Sequence, residues 1–243
     1  YVDNLIPYIL IVVKNMKNQK VLKDIDLVKR EVIEALKTSN SKLKKNKDIK
    51  IIAVSKRQPL ERIISALDVG HREFGENQVQ ESLKKWPELK KKYNNVELHL
   101  IGPLQSNKVK DAIKIFDVIQ TVDREKIAKA LKYEEEKFRK NLSYMIQINT
   151  GEEKQKSGIM PDQVDSFVDY CMHDLKLNIQ GLMCIPPFNE DSTIHFAYLR
   201  KKLEEYKLPY LSMGMSLDYK EAIHFGATHI RVGTAIFGRR AEK

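Results

Sequence analysis

Lys56 is the residue of this sequence whose type and position best fit a reactive amine. It follows Ile51–Val54, an apolar run that is typical of a buried strand. Partial burial and nearby positive charges lower the pKa of an amine, and the neutral amine can attack an aldehyde carbon. A lysine that only extends from a strand end along the surface is the simpler interpretation, and position alone favours it.

Two segments near the C-terminal end contain the small and hydroxyl-bearing residues that bind phosphate groups. Ser212–Ser216 and Arg231–Ala235 each follow a strand-like run, and a helix start follows the first of them. Hydroxyls and backbone N–H groups at such a position bind a phosphate dianion, and the arginine of the second segment adds a fixed positive charge. In the alternative interpretation, Gly214 and Gly233 only allow tight turns. Each segment alone is a weak signal, but both together with Lys56 form a coherent site.

Three further segments contain polar residues that would lie beside this site. Asn77 follows a short strand-like run, and it either hydrogen-bonds a ligand or caps the following helix; the sequence favours neither. His99 lies inside a strand pattern, which favours a buried structural histidine over a general base. Gly151–Gly158 contains two lysines that could attract an anion, but a solvated turn is the preferred interpretation.

Short apolar runs alternate with helix-like stretches along most of the chain. Eight such units predict parallel strands joined by crossover helices, which most simply close into a (β/α)8 TIM barrel of the α/β class. A doubly wound open sheet is the weaker alternative, because no GxGxxG pattern follows the first run. In a barrel the carboxyl ends of all strands share one rim, where Lys56 and the two phosphate-binding segments would meet. The runs are Ile49–Val54, Arg72–Phe74, Val96–Ile101, Asp117–Thr121, Tyr144–Asn149, Ile179–Ile185, Tyr210–Met213 and His229–Val232.

The domain organisation predicted from these patterns is a single barrel domain at residues 21–243. Residues 1–20 form an N-terminal segment of unknown role. Three interpretations are open: an additional N-terminal helix, an extension of the domain, or a remnant from outside the domain. Its apolar part, Leu5–Val13, contains Pro7, is too short to span a bilayer and is followed by no signal-peptide cleavage site. Val21 to about Lys44 has a helical pattern, in which Ile25, Val28, Val32, Ile33 and Leu36 recur at helix spacing.

The composition limits the kinds of partner. The formal net charge of +10 raises the odds of an anionic partner, but most lysines fall in helix-like stretches that would be solvated faces. No zinc-finger spacing, aromatic RNA-binding signature or arginine-rich arm is present, so we expect neither nucleic acid nor a membrane as a partner. Cys171 and Cys184 have no CxxC spacing, which is typical of buried thiols in a reducing compartment such as the cytosol.

Seven motifs, taken in order, resemble those of the pyridoxal phosphate homeostasis protein family. The resemblance covers roughly residues 21–240, and the motifs together are highly specific, whereas the first twenty residues match no part of the family pattern. The motifs are AVSK at Ala53–Lys56, FGENQVQE at Phe74–Glu81, HLIGPLQSNK at His99–Lys108, GEEKQKSGI at Gly151–Ile159, GLMCIPP at Gly181–Pro187, SMGMS at Ser212–Ser216 and IRVGTAIFG at Ile230–Gly238.

The resemblance implies a fold like the N-terminal barrel of alanine racemase, without the second domain of that enzyme. It implies pyridoxal 5'-phosphate as the cofactor, held as a Schiff base on Lys56. The implied cofactor site contains Ser216, Gly233 and Thr234 at the phosphate, Ser212 nearby and Arg231 facing the pyridine nitrogen, to which the residue-based analysis adds Asn77.

The family is described as binding and buffering this cofactor, with effects on vitamin B6 and amino-acid balance and no established catalytic activity. Its members are typically cytosolic and often monomeric. The expected partners of this chain are therefore pyridoxal phosphate and the apo forms of pyridoxal phosphate enzymes as acceptors.

Two alternatives remain. An enzyme that uses the pyridine ring as an electron sink usually pairs its nitrogen with a carboxylate, whereas Arg231 stays charged and cannot accept that proton. Alanine racemase also has an arginine there, so an amino-acid racemase-like enzyme is the first alternative. It needs a second base, but Tyr144 and Tyr210 lie near strand starts. The second alternative is an interaction protein whose basic helices bind an acidic partner.

Overall fold

Eight parallel strands form a closed barrel in chain order. The computed structural model describes residues 5–39 and 49–238. Each strand pairs in parallel with the next, and the last pairs with the first, for example Ile52 with Arg231. The predicted (β/α)8 barrel is confirmed. The strands are β1 Lys50–Val54, β2 Glu73–Glu76, β3 Glu97–Leu100, β4 Val118–Val122, β5 Ser143–Ile148, β6 Ile179–Cys184, β7 Tyr210–Met215 and β8 His229–Val232.

Helices follow the strands and form an outer layer around the barrel. One long helix precedes the first strand, and a short helix follows the last. In the described part of the chain they are α1 Leu5–Thr38, α2 Leu60–Asp68, α3 Val79–Lys92, α4 Val109–Ile115, α5 Glu125–Phe138, α6 Val164–Asp169, α7 Ser192–Tyr206, α8 Tyr219–His224 and α9 Thr234–Phe237.

Each predicted strand-like run contains a strand, with bounds that differ by up to two residues. All five residues of β4 are buried, because helices cover the outer face of a parallel barrel and side chains fill its inside. Two strands, β2 and β7, extend two residues beyond their apolar runs, and β2 does so through Gly75 and Glu76, two residue types that strands disfavour. Gly75 is needed there, since a Cβ would lie 2.9 Å from side-chain atoms of Ile52 and Ile101.

Helix α1 packs one apolar stripe against the barrel's outer layer. Val21, Ile25, Val28, Val32 and Ala35 are buried at helix spacing. Contacts with α2, α8 and α9 place this stripe over the helices that flank the first and last strands.

The expected boundary after residue 20 lies inside α1, which runs from Leu5 to Thr38. The division into an extension at residues 1–20 and a domain at 21–243 therefore stays a prediction. The predicted helical pattern continues to about Lys44, but residues 40–48 lie outside the described part.

No helix within residues 5–39 and 49–238 combines the length and the apolar character that crossing a membrane requires.

Candidate functional site

One cavity of ≈ 610 Å³ opens at the carboxyl ends of the strands. It collects side chains from the ends of β1, β2, β6, β7 and β8, so residues far apart in sequence meet there. Because all strands are parallel, their carboxyl ends share this rim. Six of the seven predicted site residues line the cavity: Lys56, Asn77, Ser216, Arg231, Gly233 and Thr234.

Lys56 lies two residues beyond Val54, the last residue of β1, and both side chains line the cavity. Successive side chains of a strand point to opposite faces, so Ile52, Val54 and Lys56 share the inner side of the barrel. The lysine is only half-buried, at the mouth of the barrel. Its amine therefore reaches the cavity from the wall formed by the first strand.

The chain turns sharply at the end of β7. Gly214 has a φ of +88°, and a Cβ there would lie 2.6 Å from the Cβ of Ala222. Asp218 accepts a hydrogen bond from the N–H of Met215 at 2.7 Å, which closes the turn over residues 215–218. Ser216 lies inside this turn and lines the cavity.

The segment after β8 presents backbone to the cavity. Gly233 precedes α9, and a Cβ there would lie 3.4 Å from the Cβ of Val54. The first N–H groups of a helix have no partner within that helix, and α9 begins at Thr234. Gly233 and Thr234 therefore provide backbone N–H groups and one hydroxyl that can bind an anion, and both residues are small.

Arg231 lies at the base of the cavity and is 3% exposed. Its Nη1 donates to Ser212 Oγ at 2.6 Å, and its Nη2 donates to the carbonyl of Cys184 at 2.7 Å. Burial lowers the pKa of this guanidinium from its ordinary value. A hydroxyl of β7 and a carbonyl of β6 thus fix the direction of the guanidinium. Neither of these two acceptors is a carboxylate.

Ser212 differs from the other predicted site residues, because it is fully buried and does not line the cavity. It shares the inner face of β7 with Gly214 but lies two residues deeper. Its hydroxyl accepts from Arg231 and donates to Gln120 Oε1 at 2.6 Å. The structure therefore places Ser212 beneath the cavity, where it supports Arg231.

A chain of polar side chains crosses the barrel interior below the cavity. Gln120 of β4 bonds Ser212 of β7 on the opposite side, and its Nε2 lies 2.9 Å from His99 Nδ1. His99 Nε2 lies 2.7 Å from Glu97, whose carboxylate bonds Lys50 at the other end of the barrel. Gln120 was not among the predicted site residues, although a polar residue inside the apolar run of β4 is a signal of this role. His99 is fully buried, in agreement with a structural histidine.

Asn77 lines the cavity, and its Oδ1 is buried with no hydrogen-bond partner among the described residues. The alternative role as a helix cap is not what the structure shows, since Gln78 occupies the cap position of α3 and no side chain bonds there. A buried acceptor of this kind is satisfied when a ligand donates to it.

The segment Gly151–Gly158 contributes more than a solvated turn. Lys156 lines the cavity, where it pairs with Glu153 and donates to the carbonyl of Pro186 at 3.4 Å. Phe188 also lines the cavity and is 87% exposed. Neither was among the predicted site residues.

The combination fits a phosphorylated aldehyde with an aromatic ring. The amine of Lys56 and the hydroxyl and backbone N–H groups of residues 216 and 233–234 lie on one cavity, with Arg231 at its base. The unpartnered Oδ1 of Asn77 is an acceptor for a ligand hydroxyl. These groups match an aldehyde, a phosphate dianion and a polar ring.

Comparison with known proteins points to the same ligand. Residues 33–241 match the family described as alanine racemase, N-terminal domain. The pyridoxal phosphate homeostasis protein of Pasteurella multocida is 40% identical over 202 residues, which cover 79% of this chain and 87% of that protein. The Haemophilus influenzae protein of that name is 36% identical over 227 residues, which cover 89% and 94%.

Solved structures share the architecture. PipY of Synechococcus elongatus, in the structure with pyridoxal phosphate bound, has a TM-score of 0.72 and 32% identity over 86% of this chain and 99% of PipY. Alanine racemase from Bartonella henselae has a TM-score of 0.65 at 15% identity, covering 92% of this chain and 59% of that enzyme, so it shows the fold alone. From these matches and the motifs that carry them, the chain belongs to the pyridoxal phosphate homeostasis protein family.

Proposed function

We propose that this protein binds pyridoxal 5'-phosphate and contributes to its intracellular homeostasis, holding the cofactor as a Schiff base on Lys56. One observation carries the proposal: Lys56, Arg231 and the segments at Ser216 and Gly233 line a single cavity. Its volume lies in the range of small-molecule sites. Curated relatives that carry the name of this function, and a PipY structure with the cofactor bound, support it.

Each lining group has a role in this proposal. The amine of Lys56 is the nucleophile that bonds the aldehyde carbon. The hydroxyls of Ser216 and Thr234 and the N–H groups around Gly233 bind the phosphate. Asn77 accepts a hydrogen bond from the cofactor's hydroxyl.

Arg231 favours storage of the cofactor over its use in most catalytic reactions. When bound, the cofactor supplies an aldehyde and a pyridine ring that can withdraw electrons. The guanidinium has no acceptor atom and stays charged, so it does not stabilise a proton on the ring nitrogen as a carboxylate would. Ser212 and Cys184 hold it rigidly in this role.

The test is to mix the protein with pyridoxal 5'-phosphate, reduce it with borohydride and locate the modified lysine by peptide mass spectrometry. We expect modification of Lys56 in the wild type, with an absorbance band at the edge of the visible range. Lys56→Ala loses both signals, whereas Lys110→Ala, which changes an exposed lysine of α4, keeps them. A wild-type protein without adduct at residue 56 contradicts the proposal.

The racemase alternative has less support. It requires a second base opposite the lysine, and the described wall of the cavity contains no tyrosine. Tyr144 is buried in the barrel's outer layer, where it donates to Glu135. Exchange of an amino-acid α-proton that depends on Lys56 is the measurement that would favour the enzyme.

The proposal extends to location and acceptors. We place the protein in the cytoplasm and propose apo forms of pyridoxal phosphate enzymes as acceptors. Cys171 and Cys184 are both unpaired and buried, and burial raises the pKa of each thiol to about 12. Unpaired thiols are usual in a reducing compartment. Recovery of activity in an apo-enzyme mixed with the loaded protein measures the transfer.

A further inference from the structure

The turn that carries Lys56 is held by charged residues of β2 and α3 that lie outside the cavity. Two of them belong to the motif at Phe74–Glu81, of which only Asn77 contributes to the cavity wall. Glu76, Glu81 and Lys85 form this group, which we call the α3 clamp. Lys85 joins the two carboxylates, at 3.4 Å from Glu76 Oε1 and 2.5 Å from Glu81 Oε1.

The contacts of the α3 clamp end on the two residues that flank Lys56. Ser55 donates from its hydroxyl to Glu76 Oε1 at 2.7 Å, and its carbonyl accepts from Lys85 Nζ at 3.2 Å. The N–H of Arg57 donates to Glu81 Oε1 at 2.7 Å. The backbone is therefore fixed immediately before and immediately after the lysine.

The backbone at Arg57 has a conformation that needs such support. Its φ of +56° lies in the left-handed region, which is unfavourable for a residue with a Cβ. The carboxylate of Glu81 accepts the N–H of this residue, and a hydrogen bond to a charged acceptor is among the stronger ones. Without it, the turn can relax to an ordinary conformation and change the direction of Lys56.

Glu76 is an unusual residue for the layer between β2 and α3. It is fully buried, accepts a hydrogen bond from Trp86 Nε1 at 3.2 Å, and its second oxygen has no partner among the described residues. Burial raises its pKa, while Lys85, Ser55 and Trp86 act in the opposite direction. A buried carboxylate is costly, so an apolar residue would suit packing alone better.

We propose that the α3 clamp positions the amine of Lys56 for its reaction with the cofactor aldehyde, with Glu81 as the main positioning residue. This rests on the proposed function of Lys56. In the reaction the amine adds to the aldehyde carbon and water leaves, so that a C=N bond replaces the C=O bond. The α3 clamp touches none of these atoms and acts through Ser55 and Arg57.

The experiment compares wild type, Glu81→Ala, Glu81→Gln and Glu88→Ala. Two quantities are measured: the apparent equilibrium constant for adduct formation at Lys56 with pyridoxal 5'-phosphate, trapped by borohydride, and the Kd of pyridoxine 5'-phosphate, which has no aldehyde. The second quantity reports the phosphate and ring contacts alone. Glu88 is the matched control, because it is an exposed acid of the same helix whose partner is Lys91.

We expect Glu81→Ala to weaken adduct formation about tenfold, the loss of one hydrogen bond to a charged group, with the analogue Kd within about twofold of wild type. Glu81→Gln keeps an oxygen acceptor for Arg57 and recovers part of the loss. Glu88→Ala matches wild type. This pattern separates positioning of the lysine from a general effect on folding, which would weaken both measurements together.

Unchanged adduct formation in Glu81→Ala overturns the inference while the proposed function stands. An equal loss of both quantities overturns it as well, since the α3 clamp would then support the whole barrel. A wild-type protein that forms no adduct overturns the proposed function and this inference together. If Glu81→Ala does not fold, Glu81→Gln decides alone: adduct formation weaker than wild type by less than about tenfold at an unchanged analogue Kd supports the inference, and adduct formation equal to wild type, or an equal loss of both quantities, overturns it.

Discussion

At the residue scale, the site depends on a buried arginine whose direction is set by neutral partners. Arg231 donates to the Ser212 hydroxyl and to the Cys184 carbonyl, and Ser212 in turn donates to Gln120. These three hydrogen bonds join Arg231, Cys184, Ser212 and Gln120 into one polar network, and a network inside a barrel is stable when its polar groups have partners. Loss of Ser212 removes one hydrogen bond from Arg231 and one from Gln120.

Ser212→Ala tests this network. Arg231 Nη1 and Gln120 Oε1 both lose a hydrogen bond in a dry interior, so we expect a loss of about 1–3 kcal/mol in the free energy of unfolding. For a chain of this size that corresponds to a fall in Tm of roughly 2–10 °C, measured by circular dichroism. Ser166→Ala, which removes an exposed hydroxyl of α6, is the control. A Tm equal to that of the control would show that the network contributes nothing to stability.

At the element scale, an ion pair ties the starts of β1 and β3 together at the end of the barrel away from the cavity. Lys50 Nζ lies 2.6 Å from Glu97 Oε1, and His99 Nε2 lies 2.7 Å from the same oxygen. Burial alone would raise the pKa of Glu97, but the hydrogen bonds and charges of His99 and Lys50 outweigh it and bring the pKa to about 2. The ionised carboxylate therefore stabilises the folded barrel.

The pH dependence of stability follows from the direction of this shift. A carboxyl group whose pKa is lower in the folded state than its usual value near 4.5 contributes stability above that value, and the contribution is lost as the pH falls towards 2. We expect wild type to lose on the order of 1 kcal/mol more than Glu97→Gln between pH 5 and pH 3, after allowance for partial exposure. Urea unfolding at several pH values measures it. Parallel pH profiles of the two proteins would rule out this role of Glu97.

At the scale of the whole molecule, the excess of basic residues is spread over the helical surface. Many lysines pair with acids of their own helix, as Lys91 does with Glu88 and Lys129 with Glu125. Several large exposed apolar side chains lie singly on their elements, among them Tyr133 on α5 and Ile194 on α7, whereas others share α1 or the mouth of the cavity. Single exposed apolar residues are normal on a monomer, and the resemblance to the family also implies one.

We therefore expect a monomer in solution. Light scattering should give a mass near 28.3 kDa that does not change with protein concentration. A mass near twice this value, or one that rises with concentration, would show that the barrel associates.

The sequence by itself determined the fold and the location of most of the candidate site residues. Alternating apolar runs and helical stretches predict eight βα units, and in a parallel barrel the position of Lys56 after β1 already assigns it to the rim. The same reasoning brings Ser216, Gly233 and Thr234 to that rim, where the structure places them. Position along a strand, which has a period of two residues, is a local property and can be deduced from sequence.

Contacts across the barrel were decided by the tertiary structure alone. Ser212 was predicted beside the cofactor but lies beneath the cavity, because its depth depends on the register between β7 and its neighbours. Gln120 reaches it from the opposite wall, and Glu81 reaches Arg57 from α3 across 24 positions of sequence. Such pairs are set by how the closed sheet and the helix layer pack, and no local pattern of residues specifies them.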